Sequence, residues 1–141
     1  MRAGDDYVQW TLRFGCILHD RGVLRSAAAE LVASGRWPSP DRKLAQVRRM
    51  RDLAEHVVDS GDHEATLEQV RSVLTALARW QLLAAGSFPL ARAELPDQLR
   101  AIDAADLAGA LERCIEGDPS VEELRRHLAL ATQSLATTVA G

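Results

Sequence analysis

Two periodicities divide the chain. From Tyr7 to Leu18, in Tyr7-Val8-Gln9-Trp10-Thr11-Leu12-Arg13-Phe14-Gly15-Cys16-Ile17-Leu18, apolar and polar side chains alternate, which predicts a strand. After Gly22 the apolar positions recur every three or four residues and predict helices. A lone strand leaves backbone donors and acceptors unpaired on both edges, so the opening segment predicts a sheet that the later residues do not supply.

Leu24, Ala27, Ala28, Leu31 and Val32 form the first helical stripe, which stops at Gly35. In the connector Gly35-Arg36-Trp37-Pro38-Ser39-Pro40, Ser39 is placed to cap the next helix and Pro40 to open it. Leu44, Val47, Met50, Ala54, Val57 and Val58 make the second stripe, ending at Ser60-Gly61. The third helix starts between Asp62 and Ala65 and runs to Gly86; it is apolar nearly all round from Trp80 to Ala85, as the central helix of a bundle requires. Pro96 opens a short helical piece through Leu99. Asp103 is a candidate cap for a helix burying Leu107, Ala110, Leu111 and Cys114, and Ser120 with Glu123 has capping-box spacing ahead of Val121, Leu124, Leu128, Ala131 and Leu135. Gly35, Gly61, Gly86 and Gly117 stand where left-handed C-caps are expected. The fold class is therefore all-α: an up-and-down bundle of about five helices over residues 22–141, with residues 1–21 as a strand-like or extended lead-in.

A length of 141 residues suits one core. With 4% aromatic residues, that core is built mainly of Leu, Val and Ala. The net charge of −3 offers no general attraction to nucleic acid or anionic lipid. Cys16 and Cys114 have no metal-ligand spacing and are too few for a disulfide scaffold, so both are expected as buried thiols in the cytoplasm. No apolar run reaches the roughly 18 residues needed to span a bilayer, and Asp5 and Asp6 fall where a signal peptide turns apolar, so a soluble protein is expected.

No complete catalytic set is legible. Adjacent Asp5 and Asp6 point to opposite faces of a strand and make a poor metal pair, and no two of His19, His56, His63 and His127 share helical i,i+4 spacing. No catalytic, cofactor-binding or metal-binding residue is assigned. Arg51 and His56, with four residues between them, match a pattern found in small helical ribonucleases. Five steps of roughly 100° place the two side chains about 140° apart, so they converge only across a homodimer or on a distorted helix. In that alternative, Arg51 stabilises phosphate charge and His56 moves a proton without a metal. The basic run Arg42, Lys43, Arg48, Arg49 and Arg51 is mixed with Asp41, Asp52, Glu55 and Asp59, a pattern that more often supplies solubility and intrahelical pairs than a site for an acidic partner, a phosphate-bearing ligand or a neighbouring domain. Trp80 reads as core, whereas Trp37 reads as cover for a seam or contact with a partner.

Residues 10–22, 51–56 and Ala84-Ala85-Gly86-Ser87-Phe88-Pro89-Leu90 together resemble the region that follows the catalytic core in bacterial nucleotidyltransferases of the aminoglycoside-modifying type. The resemblance implies a non-catalytic helical domain that binds substrate or partner, with residues 1–21 as a remnant of, or linker to, a nucleotidyltransferase core acting in cis or in trans. It places magnesium and a nucleoside triphosphate in that core and implies a small polar acceptor as substrate. This chain departs from the family in having no Gly-Ser element followed by an Asp-x-Asp pair. A homodimer, held through the first helix and Trp37, is a further expectation.

Overall fold

The computed structural model describes residues 6–16, 19, 21–35 and 37–137, with side chains from Val8 onward. Among the described residues seven α-helices follow one another: α1 (Asp6–Phe14), α2 (Val23–Ser34), α3 (Pro40–Asp59), α4 (His63–Ala84), α5 (Leu95–Arg100), α6 (Ala105–Glu116) and α7 (Val121–Thr137). A 3-10 turn, Arg92–Glu94, precedes α5, and no strand occurs among the described residues. The expected count of about five helices is thus too low.

The larger correction concerns the opening segment. Residues 7–14 are helical, not extended, and a helix pairs its backbone groups internally without any sheet. The inference that this segment needs neighbouring backbone therefore falls. Ile17, Leu18 and residues 1–5, including Asp5, lie outside the described residues, as does the side chain of Asp6.

Local signals explain most boundaries. Ser39 accepts a long 3.5 Å hydrogen bond from the Arg42 amide at the start of α3, and Asp62 accepts one of 2.9 Å from the Ala65 amide at the start of α4. Ser120 and Glu123 close both halves of a capping box before α7, and the Ser120 amide holds the Glu123 carboxyl below the usual range. Gly86, at φ 75°, ends α4 in the left-handed region, with the Ser87 amide reaching back to the Leu82 carbonyl at 2.8 Å. Gly35 and Gly61 are also left-handed, but Gly117 is extended at φ −117° and does not make the expected cap. Asp103 does not cap α6 either: it occupies the left-handed region itself at φ 60°, and Ala104 precedes the helix without a side-chain cap.

The contiguous core comes entirely from α3 to α7 and their connections. Helix α4 is the axis: Val73, Leu74, Thr75, Ala76, Leu77 and Ala78 are consecutively buried, as happens only when neighbours cover every side. Helices α3, α5, α6 and α7 pack around it. Arg71 on α4 adds a polar tie, donating from Nε to the Cys114 carbonyl at 2.8 Å. Cys114 is buried as expected, but Cys16 is exposed, because it lies beyond the end of α1. No helix among the described residues is long and apolar enough to cross a membrane.

Helices α1 and α2 stand apart from this arrangement. Among the described helices their main packing is on each other, and neither contributes to the contiguous core.

Candidate functional site

Helix α3 is unbroken from Pro40 to Asp59, so it contains no distortion that would bring Arg51 and His56 together. Arg51 Nε donates to Asp52 Oδ1 at 3.0 Å, and Glu55 Oε1 lies 3.7 Å away. The hydrogen bond to Asp52 raises the Arg51 pKa further, leaving the guanidinium charged and already matched by carboxylates. His56 turns its Nδ1 to the Asp52 backbone carbonyl at 2.7 Å and remains exposed. Within one protomer, each side chain is thus engaged with its own helix. Among the described residues, no group of three or more His, Cys, Asp or Glu side chains is arranged to hold a metal ion.

A surface groove of about 600 Å³ runs along the contact of α3 with α7. Val58, Leu128 and Ala129 supply apolar lining, Glu55 and Asp59 line it from α3, and Arg125 lines it from α7.

The most distinctive surface lies at the other end of the sequence. Phe88 follows α4 and is held by Gln98, which donates from Nε2 to the Phe88 carbonyl at 3.0 Å and accepts from the Leu90 amide at 2.8 Å. Around that fixed ring gather Phe14 at 5.9 Å and Trp37 at 5.7 Å between centroids, the latter edge-to-face. Trp10 stacks at a tilt on Phe14, and the Arg13 guanidinium lies 5.2 Å from the centre of Phe88. This aromatic seam joins the α1–α2 pair to the bundle. It is only partly covered: Phe14 is 53% and Trp37 42% exposed. Of the two roles expected for Trp37, cover for a seam accords with this packing, and Trp80 is buried in the core.

On α1, steps of about 100° place Gln9 and Arg13 on one side, with Val8 and Phe14 outside that side. Gln9 is buried and its Oε1 has no partner, while Val8 and Phe14 are exposed. Helix α2 buries only Leu31 of its apolar stripe; Val23 at 73%, Leu24 and Val32 stay in solvent. Of the large hydrophobic side chains exposed among the described residues, only Leu53 lies outside residues 8–37. Charge is uneven as well. Ten of the 17 Lys and Arg, but only five of the 20 Asp and Glu, fall in residues 1–51, so that part is net basic and residues 52–141 are net acidic.

Sequence reading marked Trp37 but missed Phe14, Phe88 and Gln98 as one unit. Phe88 carried a signal in its Phe-Pro turn, yet the long-range approach of α1 to that turn is not encoded in any local pattern.

His127 on α7 is half-buried, and its Nε2 has no partner. Burial pushes its pKa down, Glu123 opposes that shift, and Arg126 and Arg113 reinforce it. Because the unfolded chain then binds the proton more readily, stability should decline as the pH falls through the ordinary histidine range near about 6.5. Thermal melts from pH 7.5 to 5.5 should show a smaller decline for His127→Gln than for the wild type; identical slopes would exclude this contribution.

No family model, curated protein or solved structure matches this chain.

Proposed function

We propose that this chain is a non-catalytic helical binding domain that works with a nucleotidyltransferase-like core, in cis or in trans. The observation that carries the binding role is the uncovered apolar surface of α1 and α2. Isolated apolar residues on a surface are ordinary, but their concentration on one helical pair is the mark of an interaction site. The nature of the partner comes from the resemblance. Two of the segments that carry it, residues 10–22 and 84–90, meet at the contact between Phe14 and Phe88. Magnesium and the nucleoside triphosphate belong to the core in this reading, and this chain contributes surface for the core or for a small polar acceptor. A cytoplasmic location accords with the free Cys114 thiol.

Supplied with magnesium, a nucleoside triphosphate and an aminoglycoside acceptor, the chain alone should transfer no nucleotide. Adding a separately expressed nucleotidyltransferase core that carries the Gly-Ser and Asp-x-Asp elements should give a complex with acceptor-dependent transfer. Transfer by the isolated chain, or a core that neither binds the chain nor changes its activity with it, would overturn the reading.

A further inference from the structure

Helices α1 and α2 differ from the other five in what holds them. Each of α3 to α7 places buried apolar side chains in the contiguous core, whereas of the described apolar side chains on α1 and α2 only Leu31 is buried, and it lies outside that core. At nine and twelve residues, both are at or below the length, about 12–15 residues, at which an isolated helix holds in water. Both therefore depend on docking.

That docking is finely balanced. In its favour stands the seam, with Phe14 and the Arg13 guanidinium on Phe88 and Trp10 on Phe14. More than half of Phe14 nevertheless remains in solvent, so the contact removes little water. Against docking stand two buried polar atoms that have no hydrogen-bond partner, Gln9 Oε1 and Trp10 Nε1. A buried polar group left in this state costs at least as much as one ring pair contributes, and water satisfies both groups as soon as the helix lifts. The Phe88 ring, by contrast, is fixed from the bundle side. Gln98 holds its carbonyl and the Leu90 amide, so the ring keeps its place with or without α1 on it.

We propose that the α1–α2 pair is a strap: it closes on the fixed Phe88 ring through Phe14 and Arg13, and it opens as one unit while α3 to α7 stay folded. Opening breaks the Phe14 and Arg13 contacts with Phe88, releases Gln9 and Trp10 to water and unwinds both helices. It bares the Phe88 turn on the side that α1 covers when closed. The two helices move together because their main packing is on each other, so the loss of one removes the support of the other. The strap follows from packing within this chain and requires no partner, so it stands or falls apart from the functional reading above.

Hydrogen exchange of the full chain, read by mass spectrometry on peptides from α1, α2 and α4, tests it. In the wild type, α1 and α2 should share one degree of protection, above that of an unstructured peptide and at least roughly a hundredfold below that of α4. Phe88→Ala removes the anchor and should speed exchange of α1 and α2 at least roughly fivefold, with α4 unchanged. Gln9→Met replaces the orphaned amide with an apolar chain of similar shape and should slow exchange of both helices at least roughly threefold. Protection of α1 and α2 equal to that of α4 overturns the strap, because the whole molecule then opens at once. Exchange of α1 and α2 at the unstructured rate overturns it as well, because nothing then closes. So does a Phe88→Ala variant that leaves α1 and α2 unchanged or deprotects a folded α4 equally. Should Phe88→Ala fail to fold, Gln9→Met decides: without slower exchange in α1 and α2, the strap is overturned.

Discussion

Leu77→Ala is expected to cost about 2–5 kcal/mol, the range for deleting a fully buried leucine from a core that relaxes only partly. Leu77 has no exposed surface and sits on the α4 face where the chain is buried at six successive positions. Helices pack on α4 from several directions, so closing the void would require opposing movements of α3, α6 and α7. The melting temperature should fall by roughly 8–20 °C, taking about 4 °C per kcal/mol for a domain of this size. Leu53→Ala is the matched control. Leu53 is 54% exposed on α3, and its truncation should stay within about 0.5 kcal/mol of the wild type. Equal losses at the two positions would mean that α4 is not the axis of the core.

The bundle was legible because each of its helices carries its own start, stop and buried stripe. Asp62, Ser120 and Gly86 act within a few residues, and the stripes from Leu44 to Val58 and from Val121 to Leu135 need only the helical period to be seen. Residues 7–14 were misread because alternation is ambiguous over a short span. Val8, Trp10, Leu12 and Phe14 recur every two residues as in a strand, yet Val8 with Leu12 and Trp10 with Phe14 are also four apart and on one side of a helix. The helix prevails because it satisfies the backbone without a partner strand, and no other segment supplies one among the described residues.

The same local logic explains the errors at Gly117 and Asp103. Residue type and position suggest caps at both, but the backbone takes Asp103 into the left-handed region and leaves Gly117 extended, so neither residue caps in the expected way. For the candidate site, angular spacing anticipated that Arg51 and His56 diverge on a regular helix. It could not show that Asp52 serves both, through its carboxylate for Arg51 and its carbonyl for His56. The aromatic seam was less legible still, because it joins positions 14, 37 and 88, which only the tertiary fold brings together.

The two cysteines should differ in reactivity by a large factor. Cys16 is exposed beyond α1, whereas Cys114 is fully buried on α6, and burial pushes its thiol pKa up to about 11 despite Arg71 and Arg113 nearby. At pH 8 that pKa leaves a thiolate fraction of roughly 10⁻³, and the helices around it close off approach of a reagent. With a disulfide reagent in native buffer, one thiol should react rapidly and the second at least roughly a thousandfold more slowly, because it reacts only when the surrounding helices open. In denaturant the two rates should converge. The Cys16→Ser variant identifies the fast thiol, since it should retain only the slow phase. Because the Cys114 carbonyl also receives the Arg71 hydrogen bond that ties α6 to α4, the slow rate reports how often those helices separate. If Cys114 reacts as fast as Cys16 while the circular dichroism remains native, α6 opens independently of the core, and the shared packing of α4 and α6 described above cannot be a single cooperative unit.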